Sequence, residues 1–219
     1  MKTQFRNRTE AGELLAGKLK QYANRTDVLV LALPRGGVPV ASVVAQRLRA
    51  PLDVLIVRKL GVPGQEELAM GAIATGGVCV LNPHVIEPRR IAQEAIDAVV
   101  AREQRELERR EHLYRHGRPG PKIRGRTVIL VDDGIATGST VRAAISVLRS
   151  QKAQRIVVAT PTIAAATHQE MRDEADEIVA VLTPRDFYGV GQFYGDFSQT
   201  TDEEVQALLA TAKPSPVSI

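Results

Sequence analysis

Four consecutive apolar residues, Val128-Ile-Leu-Val131, run into Asp132 and Asp133 and then into a small-residue stretch, Gly134-Ile-Ala-Thr-Gly-Ser-Thr140, where a helical pattern begins. An uncharged run bounded by acids reads as a strand buried on both faces, and a strand that turns directly into a helix is half of a βα unit. The rhythm repeats along the chain. Val28-Leu-Val-Leu-Ala-Leu33 stops at Pro34-Arg35-Gly36-Gly37 ahead of a helical pattern over 38–48, and Leu52-Asp-Val-Leu-Ile-Val57 stops at Arg58-Lys59. Apolar runs at 155–160 and 177–182 flank a helical pattern at 164–174. Strands alternating with helices define an α/β fold, a mostly parallel sheet flanked by helices.

Other segments interrupt this rhythm. Gly71-Ala-Ile-Ala74 and Val78-Cys-Val-Leu81 face each other across Gly76-Gly77, which predicts a hairpin within 60–81, with Glu66 and Glu67 near its tip and Gly71 at a strand start. A helical insertion over 87–116 places Ile91, Ala95, Val99 and Leu107 along one side of a helix spanning 87–114, opposite mixed charges that read as a solvated face or subunit contact. A polar opening helix over 9–24 precedes the first strand, and a short helix over 202–211 closes the chain. At 219 residues these parts fit one domain over 1–211, with a loose tail at 212–219.

Composition narrows the class. With 44% hydrophobic and 25% charged residues the chain is ordinary for a packed protein. The single cysteine, Cys79, sits in an apolar run and reads as core; alone it makes neither an internal disulfide nor a cysteine zinc cage, which fits a reducing, cytoplasmic setting. Charges are scattered through the first thirty residues, so no apolar signal-peptide core is visible there. His84, His112, His116 and His168 lack metal-ligand spacing and read as surface residues. A formal charge of +4 suits phosphorylated small molecules better than a nucleic-acid backbone.

The loop after Val131 carries the strongest chemical signal. Small residues at a helix start let several backbone N–H groups converge on one anion, the helix dipole favours negative charge, and Thr137, Ser139 and Thr140 add hydroxyl donors. Carboxylates beside such a cradle would repel a phosphate unless they face another part of the ligand, and the vicinal hydroxyls of a ribose suit two carboxylates. A sugar phosphate satisfies both halves. No lysine follows the glycine as a Walker A loop requires, and GxGxxG is absent. The plain alternative is an acidic strand end with a helix capped by Ser139.

The whole motif resembles the signature of the type I phosphoribosyltransferases. That resemblance implies that Asp132 and Asp133 bind the ribose hydroxyls of 5-phosphoribosyl-1-pyrophosphate, and that Ala136, Thr137, Gly138, Ser139 and Thr140 hold its 5-phosphate. Pro34-Arg35-Gly36-Gly37 stands where the family places its pyrophosphate loop, so Arg35, Gly36 and Gly37 are expected on the leaving group, with a cis peptide between Pro34 and Arg35. Arg58 and Lys59, followed by Gly61-Val-Pro63-Gly64, are similar to the adenine and orotate types, adding charge on pyrophosphate and a flap over the site. The resemblance also implies Mg²⁺ held by substrate oxygens and water with no direct protein ligand, and a homodimer. A non-catalytic regulator that retained the nucleotide pocket and binds nucleic acid or a protein is the competing class, and a sugar-phosphate hydrolase a third.

The late loop, 185–197, holds Phe187, Tyr188, Phe193, Tyr194 and Phe197, five of the eight aromatic residues. In purine phosphoribosyltransferases such a loop stacks on the base, so Phe187, Tyr188 and Val190 are the candidate acceptor contacts; a core clasp explains the same aromatics equally well. Ala136 and Phe193 stand where the 6-oxopurine type carries acids. That departure predicts an acceptor other than hypoxanthine or guanine.

Overall fold

A computed structural model describes residues 4–115 and 120–212. In chain order the elements are α1 (Arg8–Lys18), β1 (Val28–Ala32), α2 (Gly37–Leu48), β2 (Leu52–Val54), β3 (Val57–Val62), β4 (Gln65–Ala74), β5 (Val78–Leu81), α3 (Pro83–Ile86) and α4 (Gln93–Arg115). They continue with β6 (Thr127–Val131), α5 (Ser139–Ser150), β7 (Arg155–Thr162), α6 (Ala165–Glu170), β8 (Glu177–Leu182) and α7 (Asp202–Thr211).

The main sheet is parallel throughout, in the order β2-β1-β6-β7-β8. Its strands are apolar on both sides because both sides are covered. Val28, Val30 and Ala32 of β1 join one core with α1 and α2, while Leu29, Leu31 and Leu33 join a second core with α5. From β1 the chain first adds β2 on one side, and only later β6 on the other. That reversal leaves a crevice beyond the carboxyl ends of β1 and β6, the place where open α/β sheets bind ligands. Ala32 pairs with Val131, so the loops following these strands start side by side.

A second, antiparallel sheet runs β3-β4-β5 and lies between α4 and α5. Leu60, Met70 and Ile73 face the α4 core, whereas Ala72 and Ala74 with Val78 and Val80 face α5. The predicted turn at Gly76-Gly77 is present, with both glycines at positive φ. The predicted hairpin therefore has an additional strand, and the second main-sheet strand ends at Val54 rather than running to Val57. Leu55 and Ile56 redirect the chain, so Arg58 and Lys59 lie within β3 instead of at the end of the second main-sheet strand, and Gly71 lies mid-strand in β4. Cys79 is exposed, not core: β5 is an edge strand whose alternate residues face out.

The helix expected over 87–114 begins only at Gln93, because Pro88 and the left-handed Arg90, φ 49°, interrupt any continuous turn from α3. The opening helix is likewise shorter, ending at Lys18 before a tight turn over Lys20–Tyr22, and the helical pattern at 164–174 resolves into α6 and a 3₁₀ turn. His84 and His112 are exposed and His168 is half-buried; His116 and the tail beyond Ala212 lie outside the described residues.

Candidate active site

The loop from Asp132 to Thr140 is held open by its neighbours. Ile135 donates to the carbonyl of Thr162 at 2.9 Å, and Ala164 donates to the carbonyl of Ile135 at 3.0 Å, extending the β6–β7 pairing past the strand ends. Thr167 Oγ1 donates to the Ala136 carbonyl, and Arg142 Nη1 donates to that of Thr137 at 2.8 Å. Arg142 is itself clamped by Glu174 at 2.8 Å and Glu170 at 3.0 Å. Apart from the Ile135 N–H, these contacts engage carbonyls of the loop, those of Ile135, Ala136 and Thr137.

Gly138 makes the turn into α5 at φ 74°, a left-handed conformation, and its missing Cβ would fall 2.7 Å from Met171 Sδ. No side chain caps this helix. Its first-turn N–H groups therefore carry the positive end of the dipole without a protein acceptor from the cap position. Thr137 Oγ1 and Ser139 Oγ stand 3.1 Å apart beside it. Ala136, Thr137 and Thr140 are exposed, Ser139 is half-buried and Gly138 is buried.

The Pro34–Gly37 segment meets this loop through its glycines. A Cβ on Gly36 would sit 2.0 Å from Asp133 Oδ2, and one on Gly37 would sit 2.7 Å from the Val131 carbonyl and 3.1 Å from Asp132 Cα. Only glycine lets the two strand ends approach this closely. The Pro34-Arg35 peptide is cis, as expected. The Arg35 side chain extends toward Asp202 at the start of α7, 3.8 Å away, where Tyr114 also donates to Asp202 at 2.5 Å. Burial and that hydrogen bond push the Tyr114 hydroxyl up to about 12.

Both acids sit in a costly setting. Burial raises Asp132 well above the usual carboxylate range, and the adjoining Asp133 charge raises it further; its Oδ1 accepts from the Asp133 N–H at 2.9 Å. Burial also raises Asp133, opposed by Arg8, whose guanidinium lies 2.8 Å from Oδ2.

Arg58 and Lys59 approach from β3. Together with Glu66, Arg102, Glu103 and Thr140 they line a cavity of about 300 Å³, so the basic pair borders the helix start that follows the 132–138 loop. Arg58 is paired there with the buried Glu103 of α4 at 2.6 Å, and Arg102 pairs with the same carboxylate at 2.9 Å. Burial pushes Glu103 up, but the two guanidinium groups outweigh it and hold the carboxyl below its ordinary range. Another cavity, about 330 Å³, lies between α2 and the end of α7, away from these loops.

The late aromatics divide. Phe193 and Tyr194 are buried, and Phe5 forms a short parallel bridge with Tyr194. Phe187 packs on Phe193 at 5.1 Å between centroids, while Tyr188 is 92% exposed. Val190 fills the space above Gly134, where a Cβ would meet it at 2.3 Å, so this candidate contact lies directly over the acid loop. Tyr194 donates its hydroxyl to the Asp133 carbonyl at 2.6 Å. Sequence reasoning missed Arg8 and Glu103, and placed Tyr194 only among the late aromatics, because each meets its partner from an element distant in the chain.

The profile of the phosphoribosyl transferase domain matches residues 4–197. The chain belongs to the phosphoribosyl transferase family. Among its relatives, a candidate phosphoribosyl transferase of Mycobacterium tuberculosis, in strains CDC 1551 and H37Rv alike, is 48% identical over 208 residues, covering 95% of this chain and 47% of the relative. This member of the family thus spans about half the length of the curated relatives it matches. A crystal structure from Thermus thermophilus is 43% identical with a TM-score of 0.87, covering 94% of this chain and 97% of that one. A Neisseria gonorrhoeae protein crystallised with bound ppGpp shares the fold at 13% identity and a TM-score of 0.50, covering 96% and 97% of the two chains.

Proposed function

We propose that the chain transfers the 5-phosphoribosyl group of 5-phosphoribosyl-1-pyrophosphate to a nitrogen acceptor, probed best among nucleobases and small amines, with release of pyrophosphate. The observation that carries this reading is the uncapped start of α5, reached from Asp132 and Asp133 through the short loop at 134–138 and set against Gly36 and Gly37 across the β1–β6 crevice. An anion seated on the α5 N-terminus puts an attached sugar next to the two acids, and a leaving group beyond the sugar next to the glycines.

In this reading the N–H groups and hydroxyls of Ala136 to Thr140 bind the 5-phosphate. Asp132 and Asp133 accept the ribose hydroxyls and face the positive charge that develops on the sugar as the C1–oxygen bond breaks. Gly36 and Gly37 admit pyrophosphate close to the backbone, and Arg35, Arg58 and Lys59 supply compensating charge. The acceptor nitrogen takes the C1 position that pyrophosphate vacates, so the protein chiefly positions the reactants. Mg²⁺ would be held by pyrophosphate and ribose oxygens with water and not by a protein ligand, and the site fits this, since Asp132 and Asp133 place negative charge beside the sugar rather than around an ion. The ion's contribution when bound is to neutralise the pyrophosphate.

Val190 over Gly134 and the exposed Tyr188 are the surfaces offered to the acceptor. The apolar Ala136 and the buried Phe193 supply no polar partner for a 6-oxopurine, and an apolar site discriminates by only about 10 to 200-fold per small group. An acceptor other than hypoxanthine or guanine follows. Homodimer formation belongs to the same proposal, and light scattering on the purified chain tests it.

A thermal-shift and pyrophosphate-release screen with Mg²⁺, 5-phosphoribosyl-1-pyrophosphate and a panel of bases and amines tests the function. A ligand at about a hundred times its Kd adds roughly 2.7 kcal/mol to stability. Absence of any shift at millimolar donor refutes the reading, and a shift without turnover across the panel leaves the regulator class in its place. A guanine or hypoxanthine kcat/KM far above all others refutes the acceptor argument.

A further inference from the structure

Arg8 is the first residue of α1, yet its guanidinium lies against the second acid of the β6 loop. Nε and Nη2 both reach Asp133 Oδ2, at 2.9 Å and 2.8 Å, while Nη1 donates to the Ser198 carbonyl at 2.8 Å. The guanidinium carbon lies over the Phe197 ring, 4.1 Å from its centroid, and 5.8 Å from the centroid of the Tyr194 ring. Both side chains of the pair are nearly out of water, 12% exposed for Arg8 and 13% for Asp133. A surface arginine has no need of so many partners; this one is fixed on all sides and aimed at a single carboxylate oxygen.

From these contacts we infer that Arg8 is a positioning residue of the donor site: it keeps Asp133 ionised and commits Oδ2, so that Oδ1 is the atom presented to a ribose hydroxyl. The inference rests on the reading of Asp132 and Asp133 as the ribose acids. It adds a consequence that the motif alone lacks, because Arg8 also stacks on Phe197 and binds the backbone beside it. The charge state of the sugar-binding acid is thereby tied to the late loop that lies on the acceptor side. An ammonium could replace the charge of Arg8 but not its planar stacking.

The groups facing this pair are Asp132 on the same loop, and the Tyr194 hydroxyl and Asp196 carboxylate of the late loop. Burial acts to protonate both acids of the loop, and Arg8 opposes that tendency at Asp133. Without Arg8, Asp133 should take up a proton at higher pH and cease to accept a hydroxyl in its ionised form.

The test is calorimetric titration of the full chain with Mg²⁺ and 5-phosphoribosyl-1-pyrophosphate from about pH 5 to pH 8. The parent, Arg8→Lys, Arg8→Gln and the double variant Arg8→Gln/Asp133→Asn are compared, with inorganic pyrophosphate and Mg²⁺ as the ribose-free probe. Expected is a ratio of variant to parent Kd for Arg8→Gln that climbs about tenfold or more as pH falls, a protonation effect that one pKa step can supply. Arg8→Lys should keep a pH-independent ratio, and pyrophosphate should give none that varies with pH. A ratio for Arg8→Gln that stays flat, however large, makes Arg8 merely structural and overturns the inference while leaving the site intact. Should Arg8→Gln not fold, the double variant, in which neither partner of the pair is left charged, is compared with Asp133→Asn: if Arg8 acts through Asp133 the two bind the donor alike across the pH range, and a further loss in the double variant overturns the inference. A parent chain that binds pyrophosphate but not the phosphoribosyl donor overturns the ribose reading itself, and Arg8's role with it.

Discussion

The donor-side loops and the aromatic clasp are built on opposite principles. Gly36, Gly37 and the 132–140 loop sit at the ends of two adjacent parallel strands, so their geometry is a direct product of strand, turn and helix start. The clasp joins Phe5 to Phe193 and Gly195 through backbone bonds of 2.8 Å and 2.7 Å that connect opposite ends of the chain. The first region tolerates almost no added atoms at its glycines; the second adds ring packing to its backbone bonds, and there one ring can be exchanged for another of similar volume. On the proposed reading, chemistry that handles phosphate is written locally, and selection of the acceptor is left to distant parts of the chain.

The sharpest break in this contrast is Asp132→Asn. If the donor loops perform the chemistry, turnover should fall by about 10² to 10³-fold, the loss typical of a preorganised electrostatic contact. Stability should move the other way. Asp132 has a raised pKa in the folded chain, so between the ordinary carboxylate value, about 3.9, and that raised value the folded state binds more protons than the unfolded state. Stability therefore declines as pH rises through this window, and the deficit persists above it. An asparagine does not titrate, so melting curves at acidic and neutral pH should show a higher Tm than the parent at neutral pH and a weaker decline. Equal turnover would make the acid a structural cap.

Gly37→Ala comes next. Its Cβ would meet the Val131 carbonyl at 2.7 Å, and backbone cannot rotate aside as a flexible side chain can. A loss of about 1 to 3 kcal/mol is expected from such overpacking, read by denaturant unfolding. Ser or Ala at Gly64, which has open space but a φ of 77°, should cost about 1 to 2 kcal/mol from the left-handed backbone alone.

Tyr194→Phe probes the seam between the two regions. It removes the 2.6 Å bond to the Asp133 carbonyl while retaining the ring stack on Phe5 and Phe197. The expected cost is about 1 kcal/mol, rising to about 3 if the carbonyl stays unsatisfied. A larger effect on donor Kd than on Tm would show that the clasp steadies the acid loop.

The smallest stability effect belongs to Tyr188→Ala. At 92% exposure its removal should change stability by no more than about 0.5 kcal/mol. A rise in acceptor KM of about tenfold, with donor Kd unchanged, is the result that a stacking role requires. No change in either constant would confine acceptor contacts to the buried side of the loop.

Uninterrupted apolar runs, the paired acids and the glycine positions determined the parallel strands β1, β6 and β8, the small-residue loop at 132–140 and the turn at 34–37, because each depends on neighbours within a few residues. The same local logic erred at Leu55 and Ile56, whose apolar character suits a strand and a buried crossover equally, and at Cys79, whose run is apolar although its strand is an edge. Tertiary structure alone decided that Glu103 of the inserted helix holds Arg58, that Arg8 reaches Asp133 across 125 positions of sequence, and that the chain's beginning latches onto its late aromatics. Charge pairing and ring packing act through space, and nothing in the spacing of residues along the chain records which distant partner will be about 3 Å away.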